Sequence, residues 1–123
     1  MAVFNAFKGD NSHIACGEEY LGRYAVSLAG HDAGKIYLVV SCSLGVSYAR
    51  STFGLADGGL KKAAKPKLKK GMHLRMLPQR DAELAARLLT GGVTDAELVH
   101  SIKRFKAADA EHRRLSGRES NNL

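Results

Sequence analysis

Gly22-Arg-Tyr-Ala-Val-Ser-Leu-Ala-Gly-His-Asp-Ala-Gly-Lys-Ile-Tyr-Leu-Val-Val40 is the stretch on which the reading of this 123-residue chain turns. Tyr24, Val26 and Leu28 alternate with Arg23, Ala25 and Ser27, and the alternation resumes with Ile36, Leu38 and Val40 against Lys35, Tyr37 and Val39. A period of two is that of a half-buried strand, so two strands folded back on each other are predicted. Gly30 and Gly34 bracket His31, Asp32 and Ala33, which gives the connecting turn two positions that accept positive φ and lets its backbone approach a partner closely. Lys35 stands at the exit of this turn.

Outward from the hairpin, Ser41 to Gly54 holds Val46, Tyr48 and Phe53 among small and polar residues, which fits a third strand entered through a turn at Gly45. Leu55-Ala56-Asp57-Gly58-Gly59-Leu60 reads as a strand end, an Asp-Gly turn and a new strand. Pro66 lacks an amide donor, so Lys65 to Lys70 is expected to be an extended loop. Met72, Leu74 and Met76 alternate with His73, Arg75 and Leu77 as a closing strand that Pro78 ends. Then the period becomes helical. Leu84, Leu88 and Leu89 share one face of a helix starting near Asp81 and stopping at Thr90-Gly91-Gly92. Thr94 and Glu97 form a capping box, and Val93 and Leu98 a hydrophobic staple, before a second helix with the stripe Leu98, Val99, Ile102 and Phe105. The apolar stripe is lost beyond Asp109. The divisions expected are an N-terminal extension, 1–19, partly disordered; a β-domain, 20–77; a helical pair, 78–112; and a disordered tail, 113–123.

The charge is concentrated. The formal net charge is +7, yet Lys61, Lys62, Lys65, Lys67, Lys69, Lys70 and Arg75 form a run with no acid among them, and the rest of the chain balances. Such a local positive field is the footprint of a phosphate-backbone binder. Lysine reads charge and not sequence, so binding through this run should depend strongly on salt and favour structured RNA.

Catalytic readings find little support. Gly30 to Lys35 falls short of a P-loop, with three residues where four are needed between the glycines and Ile36 where a Ser or Thr should hold magnesium. The five histidines and two cysteines make no nucleophile pairing. A zinc set of His13, Cys16, His31 and Cys42 lacks any paired Cys spacing, and Cys42 continues the apolar face of Ile36, Leu38 and Val40. No cofactor is expected. With no apolar span for a bilayer and no secretory leader pattern, a cytoplasmic protein is expected. Pro66 and Gly71 interrupt any amphipathic anchor in the lysine run, so no membrane partner is expected either.

The spacing of Gly22, Val26, Gly30, Gly34-Lys35 and Val39, followed by Ala56-Asp57-Gly58-Gly59-Leu60-Lys61-Lys62 and a lysine-rich segment ending in His73-Leu74, resembles a KOW domain. The resemblance covers Gly22 to Leu77 and continues more loosely into the helical region. It is to small bacterial KOW-domain RNA-binding proteins, related to KOW-containing large-subunit ribosomal proteins of archaea and eukaryotes. It implies a mainly β fold, an SH3-like small barrel of about five strands with a C-terminal helical pair. It also implies non-catalytic binding of structured ribosomal RNA, with ribosomal proteins as further partners, by a chain that is a monomer when free. In the family, the turn matching Gly30 to Lys35 and nearby basic strand residues approach RNA, so His31, Lys35 and Arg23 join the seven basic residues as expected contacts. Tyr37 is a further candidate, for stacking on a base. Ser41 to Gly54 is longer than the family pattern. The rival expectation is a protein-interaction module of a transcription or translation complex, docking through the barrel or through Leu84, Leu88, Ile102 and Phe105 of the helices.

Overall fold

The structure, a computed structural model, describes residues 19–122, with side chains of the last helix as far as Arg114. The expected N-terminal extension therefore lies, but for Glu19, outside the described residues. Five strands, β1 (Arg23–Ser27), β2 (Ile36–Ser43), β3 (Thr52–Ala56), β4 (Lys67–Lys70) and β5 (Leu74–Arg80), precede helices α1 (Ala82–Thr90) and α2 (Asp95–Asn122). The strands form one antiparallel sheet in the order β4-β3-β2-β1-β5, which does not close: β4 and β5 are its edges. The mainly β architecture with a C-terminal helical pair is as expected.

Both faces of the sheet are covered. Tyr24, Leu38, Ala56 and Leu77 pack against Leu84, Leu98, Ile102 and Phe105 of the helices. Ala25, Tyr37, Val39, Phe53, Leu55 and Leu74 form a second cluster on the opposite face. This corrects the half-buried reading of the first hairpin: Ala25, Ser27, Tyr37 and Val39, the predicted outward set, are fully buried, while Leu28 is exposed. Strands covered on both sides bury consecutive residues, as the apolar run from Ile36 to Val40 does. A register shift between Val39 and Ser41 then turns Cys42 toward the second cluster, away from the face it was expected to continue.

Three other segments differ from expectation for local reasons. The third strand begins only at Thr52, because Tyr48–Arg50 is a 3-10 turn and Val46 is almost fully exposed. The carbonyl of Arg50 passes so close to Gly45 that a Cβ there would lie 2.7 Å from its oxygen. Lys67–Lys70 is a strand, not a loop, since β3 supplies its register from Leu55↔Lys67 to Thr52↔Lys70. Finally, Pro78 sits inside β5. An edge strand with a register shift opposite Arg23/Ala25 tolerates a residue that cannot donate.

The helices start where the sequence placed them. Asp81 caps α1 by accepting from the Leu84 amide at 3.1 Å, and Gly91 ends it with φ 78°. At α2 the Thr94 amide donates to Glu97 Oε1 at 2.9 Å and the Glu97 amide to Thr94 Oγ1 at 3.3 Å, the reciprocal box. Thr94→Ala should therefore cost about 1 kcal/mol in urea denaturation, with Thr94→Ser keeping most of the wild-type stability. α2 runs on to Asn122, beyond residue 112 where the sequence ended it, with Arg113 paired to Asp109 at 2.8 Å one turn back. Tyr24 stacks on Phe105 with centroids 4.2 Å apart, and its hydroxyl meets Ser101 Oγ at 2.7 Å. Ser101 Oγ in turn donates to Asp81 Oδ2 at 2.6 Å. This buried chain of contacts ties β1 to both helices.

Candidate nucleic-acid interface

The turn between β1 and β2 uses its glycines as expected, with φ 88° at Gly30 and 90° at Gly34. Between them the Asp32 side chain folds inward and is only 12% exposed. Its Oδ1 accepts from Ser27 Oγ at 2.8 Å and Lys69 Nζ at 2.9 Å; Oδ2 accepts from Tyr37 Oη at 2.8 Å and Lys67 Nζ at 2.6 Å. Burial alone would raise this carboxyl. The bonds from Lys67, Lys69, Ser27 and Tyr37 outweigh it and hold Asp32 well below the usual carboxylate range. Burial and the Asp32 carboxylate together push the Tyr37 phenol up.

Asp32 is the residue that sequence reasoning missed, and it sorts the predicted contacts into two sets. Lys69 Nζ also donates to Ser27 Oγ at 2.6 Å and to the Ala29 carbonyl at 2.9 Å, so all three of its donors face inward. Lys35 is paired with Asp57 at 2.8 Å and lies over the Tyr37 ring. That pairing joins the turn to the loop 57–66. Arg23 donates to the Leu77 carbonyl at 2.9 Å and its guanidinium stands over Tyr20, at the end of β1 away from the turn. Lys70, at the far end of β4, reaches the Arg50 carbonyl at 3.3 Å. Tyr37, the candidate for base stacking, is fully buried and has no face to offer.

His31, Lys61, Lys62, Lys65 and Arg75 have no side-chain partner among the described residues, and all but the half-buried Lys61 are exposed. His31 is in the glycine turn and Arg75 on the β5 edge. The three lysines share the loop between β3 and β4, which antiparallel topology brings out at the same end of the sheet as the β1–β2 turn. This loop is held by its backbone. Asp57 Oδ1 accepts from the Gly59 and Lys61 amides, each at 2.9 Å, and Lys65 donates to the Lys62 carbonyl at 3.1 Å. Asp95 of α2 accepts from the Ala63 amide at 2.8 Å. At Gly58, with φ 81°, a Cβ would lie 2.2 Å from the Asp95 carbonyl oxygen, so only glycine permits the loop to seat on the helix. The lysines are thus presented from an ordered platform.

The approach of Ser27 Oγ to Lys69 Nζ has the dimensions of a nucleophile and its base. It lacks the chemistry. Lys69 Nζ is the donor in all of its contacts, to Ser27 Oγ, the Ala29 carbonyl and Asp32, and the Ser27 side chain is sealed in the sheet. Among the described residues no group of three or more His, Cys, Asp or Glu side chains could hold a metal ion. His13 and Cys16 of the zinc set lie outside the described residues. No helix among the described residues is long and apolar enough to cross a membrane. Of the helical docking stripe, Leu84, Ile102 and Phe105 are buried against the sheet, while Leu88 is half-buried. Comparison with protein-family models and with curated proteins yields no match for this chain.

Proposed function

We propose that this chain is a non-catalytic RNA-binding protein of the KOW type, acting on structured ribosomal RNA in a ribosome-linked process. In this reading its sheet is an SH3-like barrel. The strand order, the 3-10 turn Gly71–His73 between β4 and β5, and the reach of Lys67 and Lys69 across to the β1–β2 turn support that assignment. The observation that carries the function is the Lys35–Asp57 pair, which sets the glycine turn and its exposed His31 beside the platform bearing Lys61, Lys62 and Lys65. One phosphate backbone can touch both.

The roles differ from those of a uniform cationic ribbon. Lys61, Lys62, Lys65, His31 and Arg75 contact phosphate; Lys35, Lys67 and Lys69 hold the turn in place; Lys70 and Arg23 stand at the periphery. Filter binding to a ribosomal RNA fragment at several salt concentrations tests the reading. Four to five phosphate contacts should give a log-log slope between about −3 and −4.5, at about 0.7 to 0.9 per contact. An affinity indifferent to salt would overturn it and favour a protein partner docking on the sheet.

A further inference from the structure

The β1–β5 side of the sheet and α2 leave an open groove of about 470 Å³, which the lysine platform does not use. Its walls include Val26, Ile36 and Leu77 with the Phe105 ring, and two exposed residues of β5, Arg75 and Gln79, border it. Arg113, on the helix side, is already neutralised by Asp109. Arg75 is therefore the cation of this groove without a carboxylate partner among the described residues, and the Gln79 amide is likewise uncommitted. Gly34 brings the glycine turn to the same groove, with nothing within 4 Å of the place a Cβ would take.

A groove with apolar walls, bordered by the Arg75 guanidinium, the Gln79 amide and the Asp109–Arg113 pair, suits a flat heterocycle that carries an anion. Its volume is in the range of small-molecule sites, roughly 300 to 1,000 Å³. We infer that this groove takes an unpaired nucleotide of single-stranded RNA, with the base between the apolar walls, the Gln79 amide on the base edge and Arg75 on the phosphate. Unpaired bases are recognised in this way, by apolar or aromatic contact and by hydrogen bonds to their exposed edges. The inference deepens the RNA-binding reading and rests on it. It adds a class of RNA that charge alone does not select, an unpaired nucleotide next to a structured region.

The probes are hexamers of oligo(U) and oligo(A) and a blunt RNA duplex, each titrated into the whole labelled chain and followed by amide NMR shifts. At least one hexamer should move the amides of Gly34, Arg75 and Gln79, and Gln79→Ala should weaken that hexamer about tenfold, while leaving duplex affinity unchanged. Lys62→Ala with Lys65→Ala should do the reverse, weakening the duplex more. Hexamer shifts confined to residues 61–70, no hexamer binding, or an equal effect of Gln79→Ala on both RNAs would each overturn the inference. If hexamers bind in the groove and the duplex fails to bind, the groove stands and the structured-RNA reading falls.

Discussion

Replacing Lys61, Lys62 and Lys65 together with alanine is expected to lower affinity for a ribosomal RNA fragment about a hundredfold and to leave the fold intact. No lysine of this trio makes a side-chain hydrogen bond or ion pair among the described residues, and the loop beneath them is held by Asp57, Asp95 and its own backbone. At about 1 kcal/mol for each cation near an anionic surface, the trio amounts to ~3 kcal/mol, which is roughly two decades of affinity. The salt slope should shrink by about 2 to 3, because each lost phosphate contact removes about 0.7 to 0.9. Lys67→Ala with Lys69→Ala should behave otherwise, lowering the denaturation midpoint as well. A trio variant that keeps both wild-type affinity and wild-type slope removes the platform from the binding surface.

The second large effect belongs to Asp32→Ala, which should destabilise the protein by about 3 kcal/mol. The substitution strands Lys69, whose side chain is 11% exposed, and Lys67, at 31%, beside an empty place, and a buried pair broken on one side costs ~3–5 kcal/mol. The residual exposure of Lys67 argues for the lower end. The pH dependence follows from the depressed carboxyl. A group held below its ordinary value supplies stability that is complete above the unfolded carboxylate value, about 4, and is lost as pH falls through its folded value. Asp57, lowered by Lys35 and by the Lys61 and Gly59 amides against the opposing effect of burial, acts with the same sign. Urea midpoints of the wild type should therefore fall as pH drops from 4 toward 2, with the gap to Asp32→Ala narrowing over that interval. Parallel curves would mean that the carboxylate does not hold the turn.

Local signals in the chain announced local structure well. The positive-φ glycines of the first turn, the helix start near Asp81, the Thr94–Glu97 box and the glycine stop at Gly91 all act within a few residues, and each is found where the spacing placed it. Strand polarity was harder to read, because alternation reports one covered face whereas Tyr37 and Leu38, adjacent in the chain, are both fully buried. The lysine run misled for a related reason. An uninterrupted row of cations looks free from the sequence alone, but the acid that engages two of them is Asp32, more than thirty residues away, and only the folded sheet brings it within 2.6 Å of Lys67. A clue was present all the same: an acid enclosed by two turn glycines, followed by a lone lysine, invites the question of what that carboxylate accepts.

The stack of Tyr24 on Phe105, with Ser101 and Asp81 behind it, joins the strands to the helical pair through one buried contact chain. A fragment ending at Arg80 would uncover Tyr24, Leu38, Ala56 and Leu77 at once, a whole face of the sheet. Melting should consequently be a single cooperative event, in which strands and helices are lost in step. Under the proposed RNA-binding reading, the two walls of the groove, one from the sheet and one from α2, then stay together for as long as the protein is native.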